Sequence, residues 1–110
     1  RGITVVAISM DSKDRAQKSA EEWGVADLMI GYDLGEGLAR DLGLYISSRR
    51  PGSDEPKIFS EPALLLVKPD QTLYFASVQS MPFTRPSLEQ LLQGIDYAIE
   101  SGYPARGTLA

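Results

Sequence analysis

The side chains that do most enzymatic chemistry are scarce in this sequence: among 110 residues there is neither a cysteine nor a histidine. A thiolate nucleophile, an imidazole base and the commonest transition-metal ligands are therefore missing. What remains is carboxylates, guanidinium groups and backbone. Glu61-Pro62 stands immediately before an apolar run, where proline is tolerated as the first residue of a strand or could shape the wall of a cleft. Arg49-Arg50 could grip an anion through guanidinium hydrogen bonds, but nothing nearby in sequence marks a pocket, and the pair reads as part of a solvated loop. Asp11, Asp14 and Asp33 offer oxygen ligands of the kind hard cations take. Helix capping and first-turn charge account for the first two more simply, so no metal is expected. Gly35-x-Gly37 has part of a phosphate-cradle pattern without its later glycine and reads as a turn into a helix. No catalytic residue, cofactor or metal is assigned from residue types.

The elements that must position these residues follow from periodicity. Ile3 to Ser9 is β-branched and nearly continuously apolar, the pattern of a strand buried on both faces of a parallel sheet. Asp11 or Ser12 caps a helix starting near Lys13. Its apolar face is Ala16, Ala20 and Trp23, with Trp23 as the anchor to the sheet, and Gly24 is placed to end it. Leu28-Met29-Ile30 predicts a short strand, Gly31 to Gly35 a turn, and Glu36 to Leu42 a second helix stopped by Gly43. Ser47 to Ser60, with Pro51, Gly52, Asp54 and Pro56, reads as one long loop. Ala63 to Val67 and Leu73 to Val78 form a hairpin about a turn at Lys68 to Thr72. Ser87 and Gln90 resemble a capping box for a last helix running to about Glu100, which buries Leu88, Leu91, Leu92, Ile95, Ala98 and Ile99. Gly102 ends it, and Tyr103 to Gly107 leads into a tail that is mobile unless something docks it.

Composition narrows the function classes. The apolar fraction of 43% and charged fraction of 24% are those of a soluble globular domain, and the length suits one domain spanning residues 1–110. A net charge of −4 from scattered acids gives no nucleic-acid footprint. The longest apolar run, Ala63 to Val67, is far short of a membrane span. The expectation is a cytoplasmic protein with neither nucleic-acid nor membrane partners. Because Arg1-Gly2 leads straight into an apolar strand, an internal start is also expected.

The run Gly2-Ile3-Thr4-Val5-Val6-Ala7-Ile8-Ser9-Met10-Asp11-Ser12, followed by a helix ending Glu21-Glu22-Trp23-Gly24-Val25, resembles the middle of peroxiredoxin-like proteins of the alkyl hydroperoxide reductase/thiol-specific antioxidant (AhpC/TSA) family. The resemblance continues through Tyr32 to Gly43, Glu61-Pro62-Ala63, the hairpin and the closing helix. It implies an α/β, thioredoxin-like mixed sheet flanked by helices, here the C-terminal portion of one domain whose N-terminal βα portion is missing. That missing portion would carry the peroxidatic cysteine or Cys-x-x-Cys pair, and a central strand between the first strand and the hairpin. Pro62 matches the thioredoxin-type proline, whose preceding peptide is usually cis and faces the redox cysteine, so Glu61 and Pro62 would form the active-site wall. Typical peroxiredoxins carry an arginine near the start of this hairpin. Pro62-Ala63 occupies that region here, which favours a thioredoxin-like variant.

The resemblance thus implies a fragment of a thiol-dependent antioxidant oxidoreductase that reduces peroxides or disulfides through an upstream cysteine, the fragment being inactive by itself. The alternative is a non-catalytic thioredoxin-like interaction module. Without the central strand, the two apolar strands are expected to re-pair directly, or to be completed by another segment or chain. An open sheet edge would support a homodimer.

Overall fold

The computed structural model describes residues 1–24 and 28–109. The chain is mixed α/β and divides into two compact units, Gly2–Glu61 and Pro62–Ala110, with Arg1 belonging to the second. Val25, with which the matched helix motif ends, lies outside the described residues.

In the first unit, β1 (Val6–Ile8) pairs in parallel with β2 (Met29–Gly31) across the crossover helix α1 (Lys13–Glu22). A parallel pair needs such a crossover because its strands run the same way. The register sets Val6 against Met29 and Ile8 against Gly31. Ser12 caps α1, its hydroxyl accepting from the Arg15 N–H at 3.3 Å, and Asp14 adds negative charge to the first turn. Gly24 takes φ +65° just past the helix end, the left-handed conformation that glycine adopts without a Cβ penalty. The second helix, α2 (Glu36–Asp41), ends in a Schellman arrangement: the Gly43 N–H donates to the Arg40 carbonyl at 2.9 Å and the Leu44 N–H to the Ala39 carbonyl at 3.0 Å. Both helices bury alanines, Ala16 and Ala20 on α1 and Ala39 on α2.

The segment read as a long loop contains two strands. β3 (Ile46–Ser48) and β4 (Ile58–Ser60) form an antiparallel ribbon with Ile46 opposite Ser60, confining the irregular stretch to residues 49–57. Proline and glycine at its tip masked β-branched and aromatic residues at both bases, Tyr45-Ile46 and Ile58-Phe59.

In the second unit, β5 (Ala63–Val67) and β6 (Leu73–Val78) form the expected antiparallel hairpin, with an irregularity between Leu66 and Val67. Its turn is held by Asp70, whose Oδ1 accepts from the Thr72 N–H at 3.0 Å and the Thr72 hydroxyl at 2.5 Å. A 3-10 turn (Pro82–Thr84) leads to α3 (Leu88–Ser101), capped by the Ser87 hydroxyl and ended at Gly102 with φ +63°. The tail that follows is docked at its base. The Tyr74 hydroxyl donates to the Tyr103 carbonyl at 2.7 Å, and the Tyr97 and Tyr103 rings lie 5.9 Å apart.

Among the described residues the strands pair as three two-stranded ladders, β1 with β2, β3 with β4 and β5 with β6. Three expectations about burial are corrected. The first strand is not buried on both faces: Val6 and Ile8 are 52% and 59% exposed and Met29, beside them, 55%. Such a strand needs neighbours at both edges and cover on both faces, and among the described residues β2 is its one ladder partner. Trp23 does not anchor the helix but is 74% exposed, beside a ladder that is two strands wide among the described residues. On α3, Leu88, Leu92 and Ile99 are exposed while Leu91, Ile95 and Ala98 are half-buried. The six-residue buried face is therefore only half realised.

Candidate functional site

Glu61 closes the first unit. Its N–H donates to the Tyr45 carbonyl at 2.7 Å, adding one rung to the β3–β4 ribbon and fixing the backbone from which the carboxyl projects. The side chain is 8% exposed, and Oε2 has no hydrogen-bond partner among the described residues. Withdrawing a carboxyl oxygen from water without a replacement donor costs about 1–3 kcal/mol, and more if it is ionised.

Pro62 opens the second unit. It has no N–H to give to a ladder, but its carbonyl accepts from the Gln79 N–H at 3.0 Å and so extends the β5–β6 hairpin by a rung. The Glu61–Pro62 peptide is trans, as is every described peptide bond, which corrects the cis geometry implied by the resemblance. Gln79 is the other buried polar residue of the described chain, at 8% exposure, and its amide donates to the Ser77 hydroxyl. Sequence reasoning passed over Gln79. The hairpin register could have found it, since continuing the pairing of Ala63 with Val78 by one residue sets Gln79 against Pro62.

The arginine pair is committed to its own loop. Glu55 Oε1 accepts from Arg50 Nε at 2.7 Å, from the Arg50 N–H at 3.3 Å and from the Ser53 hydroxyl at 2.8 Å. The Arg50 and Ser53 hydrogen bonds hold the Glu55 carboxyl below the usual glutamate range, and Glu55 in turn raises Arg50. Arg49 donates to the Glu55 carbonyl and Arg15, from α1, to the Asp54 carbonyl. These guanidinium groups stitch residues 49–57 together. Gly35 caps α2 through backbone alone, with an ordinary φ of −71°, as a simple helix start requires. The Asp33 N–H donates to the Asp11 carbonyl at 2.8 Å, while among the described residues no three acidic side chains converge on a cation position.

In the second unit an open groove of about 290 Å³ runs along β6 beneath the docked tail, lined by Tyr74, Phe75, Tyr103, Pro104 and Arg106. It contains no carboxyl and no buried titratable group. The chemistry the chain offers is thus concentrated at Glu61, as a hydrogen-bond acceptor withdrawn from water, next in sequence to the proline that starts the hairpin.

No protein-family model, curated protein or solved structure matches the chain. Among the described residues no helix is long and apolar enough to cross a membrane.

Proposed function

We propose that this chain is the cysteine-free part of a thioredoxin-like, thiol-dependent antioxidant oxidoreductase, one that reduces peroxides or disulfides through a cysteine supplied by a segment outside this sequence. Only a thiolate attacks a peroxide or disulfide sulfur at useful rates, so the residues present serve as the wall of the site and not as its reagent. The observation that carries the reading is the order of elements around the motif residues. A β1–α1–β2 crossover turns through Ser9-Met10-Asp11-Ser12, and an antiparallel hairpin begins at Pro62 and is followed by the long helix α3. The buried Glu61 carboxyl beside Pro62 adds to it, because a surface turn would not withdraw a carboxyl from water. The trans Glu61–Pro62 peptide departs from the family pattern, and so does the lack of an arginine at the start of β5.

The test uses the natural full-length protein. With dithiothreitol as reductant, hydrogen peroxide consumption and insulin disulfide reduction are followed before and after alkylation with iodoacetamide. The reading expects at least one activity, abolished by alkylation. Absence of both in the unalkylated protein refutes it and leaves the non-catalytic interaction module, which the exposed apolar residues of β1 and β2 favour.

A further inference from the structure

Among the described side-chain nitrogen and oxygen atoms that are fully withdrawn from solvent, Glu61 Oε2 alone has no hydrogen-bond partner. Buried polar atoms in folded proteins are nearly always paired, and one left unpaired calls for a partner in the working state. A carboxyl oxygen accepts through two lone pairs, so that partner is a donor.

The surroundings narrow its class. Divalent cations need several oxygen or nitrogen ligands, and no group of three metal-ligating side chains forms among the described residues. None of the described ion pairs involves Glu61, so neither lysine nor arginine satisfies it from within. An anionic ligand would be repelled. A neutral O–H donor fits. We infer that Glu61 Oε2 is the acceptor for such a donor in the thiol reaction, the O–H of a hydroperoxide substrate. The inference rests on the thiol reading above and adds a residue and a role to it. Glu61 suits the role because its backbone is tied to Tyr45 at the end of the β3–β4 ribbon, and an acceptor on a fixed backbone selects donor position.

The experiment compares wild-type full-length protein with Glu61→Met, which keeps side-chain length and removes both oxygens, and Glu61→Gln, which keeps one acceptor. Rate constants for hydrogen peroxide and for iodoacetamide are measured, with melting midpoints and thiol counts as controls. Glu61→Met should keep or raise the melting midpoint, since it relieves carboxyl desolvation, and should slow the peroxide reaction about tenfold, the factor one hydrogen bond carries. Glu61→Gln should recover much of that loss. Slowing confined to peroxide supports the inference, and an equal slowing of alkylation overturns it, because iodoacetamide brings no hydroperoxide O–H. Unchanged rates in Glu61→Met overturn the inference, as does an equal loss in both variants, which would mean that charge and not an acceptor oxygen matters. If the wild-type protein has no reactive thiol, the underlying reading fails first; an active wild type with indifferent variants sinks this inference alone.

Discussion

The two units solve the same packing problem with residues of opposite size. In Gly2–Glu61 the buried apolar residues are three alanines, Ala16, Ala20 and Ala39, while the β-branched residues of β1 stay exposed. In Pro62–Ala110 no described apolar residue is fully buried, and cohesion comes from half-buried leucines, Leu64 to Leu66 of β5 and Leu91 of α3. A helix residue buried as alanine leaves no room for a larger side chain, whereas a two-stranded hairpin leaves each leucine partly in water. The contrast teaches that an apolar run specifies a strand but not its burial. Burial needs neighbouring elements, and among the described residues β1 and β5 each have a single ladder partner.

Opposite substitutions test this. The largest effect is expected at Ala39, which is 0% exposed: Ala39→Leu overpacks the site and should lower stability by about 1–3 kcal/mol in urea unfolding. Removing bulk from the hairpin comes next. Leu65→Ala should cost about 1–2 kcal/mol, below the range for a fully buried leucine. Ile8→Thr, on the equally apolar but bare β1, should stay within about 0.5 kcal/mol, and a cost near that of Leu65→Ala would show that β1 is covered.

Two irregular segments sharpen the comparison, one held by charge and the other by tyrosine. Tyr74→Phe removes the hydrogen bond to the Tyr103 carbonyl and should cost about 0.5–1 kcal/mol, read as faster amide exchange from Tyr103 onward. The smallest effect is at Glu55. Its carboxyl titrates below the ordinary glutamate value of 4.5 when folded, so its contribution is present at neutral pH and is lost as pH falls through that lowered value. NMR signals of residues 49–57 should therefore hold steady from pH 7 to the ordinary glutamate range and shift below it. Glu55→Gln should abolish that acid transition, and added salt should weaken the exposed Arg50–Glu55 pair.

Much of the element order was legible in the sequence, because capping residues and glycines act locally. Ser12, Ser87, Gly24, Gly43 and Gly102 all sit at the helix boundaries that their chemistry implies. The β3–β4 ribbon was not legible, since Pro51, Gly52 and Pro56 dominate its composition while its pairing depends on contacts ten to fourteen residues apart. The exposure of Trp23 and of the Leu88, Leu92 and Ile99 stripe was hidden for a related reason. Helical periodicity names a face but not what lies opposite it. At the candidate site, Glu61 and Pro62 were visible as a motif, but the orphaned oxygen and the burial of Gln79 are tertiary facts.

The most direct test of the central claim, that these residues wall the site of a thiol oxidoreductase, is a thiol titration under denaturing conditions, paired with intact mass, on the protein purified from its natural source. The account predicts a species heavier than the 12.0 kDa of this chain carrying one or two titratable thiols, at least one of them reactive in the native state. A natural species of 12.0 kDa with no thiol would contradict it.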